Sequence, residues 1–169
     1  MTYYSLNPHR FGSVSMVTAT LGNNDPELGT RCTEGGSTYA FCYNAGAAAI
    51  KVGWGGYLNS SNSGLSVSVS NAASQVGPLV GVCHHESIPA GSYGWLVVKG
   101  VSYVAADATE TSQGVSGGSA YIVPGVDGGF VVAPATISTG ARLGLLISTM
   151  QTQGTTAQGK AYIFGSVFV

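Results

Sequence analysis

Cys83-His84-His85-Glu86 is the densest run of chemically capable side chains in this 169-residue sequence. On an extended segment alternate residues share a face, so Cys83 with His85, or His84 with Glu86, could both reach one metal ion. A zinc site needs three or four ligands. The remaining candidates, His9, Cys32 and Cys42, are distant and follow no metal-binding spacing. We therefore read the run as a strand leaving the fold at a polar end, with His84 and His85 on opposite faces.

Gly114-Val115-Ser116-Gly117-Gly118 is superficially similar to the nucleophile loop of trypsin-like proteases, and His85, Asp107 and Ser116 follow that family's order. The residue before the serine is Val115, where that family has aspartate. The gap from Asp107 to Ser116 is also too short for a double-barrel protease. A Gly/Ser hairpin loop is the simpler reading. The seven carboxylates are never paired at close spacing, although Asp25 and Glu27 share one loop and Asp107 and Glu110 another. Paired acid/base chemistry would instead need two of them to face a substrate from separate strands. The glycine run around Trp54 lacks the strand–loop–helix setting and the lysine of a phosphate loop. Trp54, Tyr57, Trp95 and Tyr103 could form an aromatic sugar platform, although aromatics beside glycines on strands also make ordinary core. No catalytic, cofactor or metal site is assigned from these residues.

The elements that must position them are strands. Gly77 to Gly100 reads as a hairpin, with Val80 and Val82 before the corner and Trp95 and Val97 after it. Ile88-Pro89-Ala90-Gly91 supplies the corner, Gly94 makes room for the Trp95 ring against a neighbouring backbone, and Gly100 ends the strand. Further strands are expected over 38–43, 47–58, 65–70, 101–106, 119–124, 130–133, 142–150 and 161–169. Asp127-Gly128 lies at the centre of a hairpin turn. A minor helical turn is allowed near 71–75. This spacing of about ten short strands predicts an all-β fold, a single β-sandwich or β-barrel-like domain.

Residues 1–36 differ from the rest. Neither a helix nor a strand period persists there, apart from weak alternation over 13–21, and Asn23-Asn24-Asp25-Pro26 is a turn signal. We read 1–36 as an extended N-terminal arm and 37–169 as the β domain. The exposed aromatic and aliphatic side chains of Tyr3, Tyr4, Leu6 and Phe11 would gain by docking, on this chain or on a partner.

Charged residues make up only 8% of the chain and the net charge is −1, against an ordinary charged fraction of about 25%. Mean hydropathy is positive, at +0.26, which argues against disorder. So few charges leave little to hold other surfaces off, a hint of self-assembly or of a large partner. Six scattered basic residues cannot line up along a phosphate backbone, so nucleic-acid binding is disfavoured. No apolar run reaches the roughly 18 residues of a membrane helix, and the first residues lack the pattern of a secretory leader. Synthesis in a cytosol is expected, with Cys32, Cys42 and Cys83 reduced. A Cys32–Cys42 bridge across a hairpin is the alternative.

Three segments together, Tyr39 to Gly46 (YAFCYNAG), Ser66 to Ala72 (SVSVSNA) and Leu79 to Gly100 (LVGVCHHESIPAGSYGWLVVKG), carry a resemblance. The chain resembles capsid decoration, or cement, proteins and related head proteins of tailed bacteriophages. The likeness covers about 38–100 and is most specific over Val80 to Gly100. Cys83, the His84-His85 pair and the N-terminal arm lie outside that family's pattern. The resemblance implies a non-enzymatic virion protein without cofactors, made in the host cytoplasm and bound outside an icosahedral shell. It further implies a homo-oligomer, a trimer foremost, that bridges neighbouring copies of the major capsid protein. Tyr3, Tyr4, Leu6 and Phe11 would contact the shell or a neighbouring copy. A receptor- or glycan-binding virion module is the second reading, and a hydrolase the third.

Overall fold

A computed structural model of the chain describes residues 14–23, 25–59, 66–68, 79–106, 120–125, 128–134, 144–148, 151–153 and 156–164. These form an all-β fold with eleven strands and, among the described residues, no helix. In chain order they are β1 (Arg31–Glu34), β2 (Ser37–Asn44), β3 (Gly55–Leu58), β4 (Ser66–Ser68), β5 (Leu79–Cys83), β6 (Tyr93–Ala105), β7 (Ala120–Pro124), β8 (Phe130–Pro134), β9 (Gly144–Leu146), β10 (Gln151–Gln153) and β11 (Thr156–Ile163).

Five strands close into a barrel in the order β2-β4-β3-β5-β6, with β6 returning to β2. An odd number of strands cannot alternate direction all the way round a ring, so one neighbouring pair must be parallel. That pair is β2 with β4, and the other four contacts are antiparallel. Five strands enclose a narrow bore, since barrel diameter follows strand number. β2 shows the consequence. Its inward positions are the small Ala40 and Cys42, and its outward positions are the large Tyr39 and Phe41. Both faces are buried, so the alternation is small against aromatic rather than polar against apolar. Leu96, Val67, Ile50 and Ile88 fill the remaining interior. Ile88 lies against Gly94, where a Cβ would come within 2.7 Å of the isoleucine side chain. The space at Gly94 thus belongs to Ile88 and not to the Trp95 ring.

β6 is longer than expected. Gly100 does not end it but bends it, at a φ of 108° that suits glycine. A side chain there would also collide with the backbone of Gly36 and Ser37. Before the bend β6 belongs to the barrel. After it, β6 pairs with β11, and the second sheet continues through β9 and β7 to β8. That sheet curls far enough for Phe130 to form a single parallel bridge with Ala106, just beyond β6. The outward barrel residues Phe41, Tyr57, Val82, Trp95 and Val97 join Val104, Ile122, Phe130, Ala161 and Ile163 in one apolar core. The larger core is therefore the seam between barrel and second sheet.

Several strand bounds shift. Of 47–58 only Gly55–Leu58 is a strand, with an isolated bridge between Ile50 and Ile88. The strand expected over 142–150 is described as the shorter Gly144–Leu146. The final strand begins earlier, at Thr156, and pairs with a polar strand, β10, that the expected strands do not include. Residues 165–169 and 71–75 lie outside the described residues. Within the segment read as an arm, Val14 is buried, Thr18 bridges Tyr93, and β1 pairs with β2 through a Gly35-Gly36 turn. Both glycines have positive φ, as a two-residue type I′ hairpin requires.

Candidate functional site

The bend in β6 brings four separate pieces of chain to one place. The end of β5 delivers His84, the Gly35-Gly36 turn delivers Ser37 and Tyr39, and β6 beyond the bend delivers Val101, Ser102 and Tyr103. β11 adds Lys160, which is paired with Tyr103 across the ladder. Gly35, Ser37, Tyr39, His84, Val101 to Tyr103 and Lys160 line a cavity of about 320 Å³, at the small end of the range of ligand pockets.

Four rings run along the site. His84 stacks on Tyr103 with centroids 5.7 Å apart, His85 stacks on Tyr39 at 5.8 Å, and the two histidines meet edge to face at 4.6 Å. The Lys160 ammonium lies 5.2 Å from the Tyr103 ring centroid, in cation–π range. The hydroxyl protons of the two serines are directed to main chain. Ser37 donates to the Val101 carbonyl at 3.1 Å, and Ser102 donates to the Tyr103 carbonyl at 3.0 Å. His84 Nδ1 stands 3.1 Å from the same Ser102 oxygen. A serine hydroxyl has one proton, so both contacts are satisfied when Nδ1 carries hydrogen and donates to Ser102. The Nε2 atom of His84 is then the acceptor of the ring. Burial, and next the nearby His85, lower the His84 pKa and favour this neutral form. Burial also raises the Tyr39 pKa, with Glu34 adding to it, so the phenol stays protonated.

Of the sequence candidates, the structure brings His84, His85 and Tyr103 to the site, the two histidine rings meeting rather than lying on opposite faces, and disperses the others. Cys83 ends β5 inside the barrel core, and its Sγ donates to the Glu86 carbonyl at 2.9 Å. Burial pushes its pKa to about 12, which suits neither a nucleophile nor a metal ligand. Among the described residues, no group of three or more His, Cys, Asp or Glu is placed to hold a metal ion. Cys32 and Cys42 are free thiols. Cys32 faces Tyr39 in the ladder and Cys42 lies past the end of β1, so the hairpin does not oppose them. Asp25 is a turn residue, its carboxylate accepting the Gly22 N–H at 2.6 Å. Asp107, Glu110 and Ser116 lie outside the described residues, as do Tyr3, Tyr4, Leu6 and Phe11. The four aromatics proposed as one platform do not share a surface. Tyr57 and Trp95 are buried in the seam, Trp54 lies under Lys51, and Tyr103 is exposed at the cavity.

No family model matches this chain, and no curated protein sequence does.

Two features of the site were not read from the sequence. Ser37, Ser102 and Lys160 are far apart in the chain and have no shared spacing. The outer face of the second sheet carries a row of exposed apolar side chains: Val101 and Tyr103 on β6, Tyr162 on β11 and Ile147 after β9. Tyr162 pairs with Val101, so these residues are neighbours. The row runs directly into the cavity, because Val101 and Tyr103 belong to both.

Proposed function

We propose that this is a non-enzymatic structural protein that binds the outside of a tailed-bacteriophage capsid and stabilises it by bridging major capsid proteins. The observation that carries the reading is the apolar row of Val101, Tyr103, Ile147 and Tyr162, exposed on one sheet face of a body with 8% charged residues. Contiguous exposed apolar side chains mark a surface that another protein covers. The resemblance over 38–100 supplies the class of partner. A barrel braced by a second sheet is a rigid unit, suited to repeated contacts whose avidity accumulates around a shell. On this reading the protein is made in the host cytoplasm and ends on the capsid exterior. Copies associate as homo-oligomers, foremost trimers, and Tyr3, Tyr4, Leu6 and Phe11 add contacts to the shell or a neighbour. It needs neither cofactor, nucleic acid nor membrane.

The test is co-sedimentation of the purified protein with expanded shells of the major capsid protein encoded beside it. Binding is expected to saturate. Tyr162→Ser is expected to lower occupancy about tenfold, a usual cost for losing an aromatic contact at an interface. Deleting residues 1–11 should leave a folded domain and weaken attachment. A protein that stays in the supernatant at every shell concentration would overturn the reading.

A further inference from the structure

We propose that the cavity at the β6 bend is a binding site for a neutral, hydroxyl-rich ring, a single sugar unit of a glycan. The inference stands apart from the capsid reading, since the cavity is formed within one chain. It rests on an inventory of the lining. The hydroxyl protons of Ser37 and Ser102 are already given to the Val101 and Tyr103 carbonyls. What remains to a ligand from these groups is lone pairs, on the Ser37 oxygen and on His84 Nε2. Lys160 supplies the donor. No carboxylate and no amide side chain is in the lining.

A ligand matched to that inventory donates at two points and accepts at one. Adjacent sugar hydroxyls do this, because each is both donor and acceptor. An ionised carboxylate has only acceptors to offer, so it would meet lone pair with lone pair at Ser37 and His84. An ammonium ligand would meet Lys160. The walls fit the same class: the exposed side chains of Val101 and Tyr103 give apolar surface against which the C–H face of a pyranose packs. The volume of about 320 Å³ admits one ring and not an extended chain.

The experiment is a chemical-shift titration of the isotopically labelled full chain with glucose, galactose, mannose and N-acetylglucosamine, and separately with acetate and inorganic phosphate. At least one sugar is expected to shift the amides of Gly35, Ser37, Val101 and Tyr103 saturably, with a Kd on the order of 1 mM. His84→Phe keeps a ring on Tyr103 but removes the acceptor, and should weaken that sugar about tenfold, the effect of one lost hydrogen bond. Ser37→Ala gives a second reading of the same loss should the histidine variant not fold. The proposal is overturned if no sugar moves those amides, if acetate or phosphate binds more tightly than every sugar, or if the folded variants bind as well as the parent.

Discussion

The barrel and the second sheet share β6 yet treat their surfaces in opposite ways. The barrel interior is complete: its small residues, Ala40, Cys42 and Gly94, leave room that Ile88, Leu96 and Val67 fill. Its one buried amide among the described residues is also satisfied. Asn44 Nδ2 donates to the carbonyls of Ala48, Ile88 and Pro89, and its Oδ1 accepts the Gly46 N–H. The second sheet buries one face in the seam and leaves Val101, Tyr103 and Tyr162 on the other exposed. The barrel is thus the part whose interior is filled and satisfied, and the sheet is the part that presents an open apolar face.

The sharpest way to break this contrast is at Asn44. Asn44→Ala removes four hydrogen bonds made by a side chain with no exposure, one of them to the buried Ile88 carbonyl. The expected cost is about 3 kcal/mol, since each hydrogen bond lost is worth about 0.5–1.5 kcal/mol. Urea unfolding should show the midpoint fall with one cooperative transition, because the seam core joins both parts. Two separate transitions would show that the barrel and sheet are independent.

Gly100→Ala attacks the junction. The positive φ and the contact with Ser37 together should cost about 2 kcal/mol, and the amides of Ser37, Tyr39 and His84 should shift with it. A variant as stable as the parent would mean that β6 does not need the bend.

How far the fold was legible follows from the same contrast. The hairpin β5–β6 and strand β2 were visible because both are apolar or aromatic along their length. β1 was not, since Arg31 to Glu34 is mostly exposed and polar, and its one signal, the Gly35-Gly36 pair, was not read as a turn. β10 and the start of β11, Gln151 to Gln158, likewise carry no apolar alternation and are strands through their partners. Gly100 was misread because a positive-φ glycine looks the same in sequence whether it stops a strand or bends one. At the site, His84 stood out by type. Its partners could not, because Ser102 and Lys160 are set by a crossing of four elements and not by local spacing.

A smaller effect tests the seam. Tyr57 and Trp95 are buried with Oη and Nε1 lacking hydrogen-bond partners among the described residues. Tyr57→Phe removes one unpaired hydroxyl with little change of shape. It should stabilise by about 1 kcal/mol, the opposite sign to Asn44→Ala. Destabilisation by that amount would reveal a hidden partner for the phenol. On the outer face, Tyr162→Ser should change stability by less than about 0.5 kcal/mol, as exposed positions do. It should instead reduce any self-association seen by sedimentation.

The least effect is the titration of His84. Its folded pKa lies below the ordinary 6.5, because burial and His85 disfavour the charged ring. The unfolded chain therefore binds a proton that the folded chain does not, over a window beginning near 6.5 and extending down to the folded pKa. Stability rises with pH through that window and is lost as pH falls through it. The slope is less than one proton, and the ring is only half-buried, so solvent moderates the effect further. His84→Phe should flatten the stability profile below about pH 6.5 while leaving the alkaline side unchanged. His85→Phe removes the secondary cause and should shrink the slope without abolishing it. An unaltered slope in His84→Phe would place the titrating group elsewhere and remove the reason for treating the ring as a neutral acceptor in the cavity.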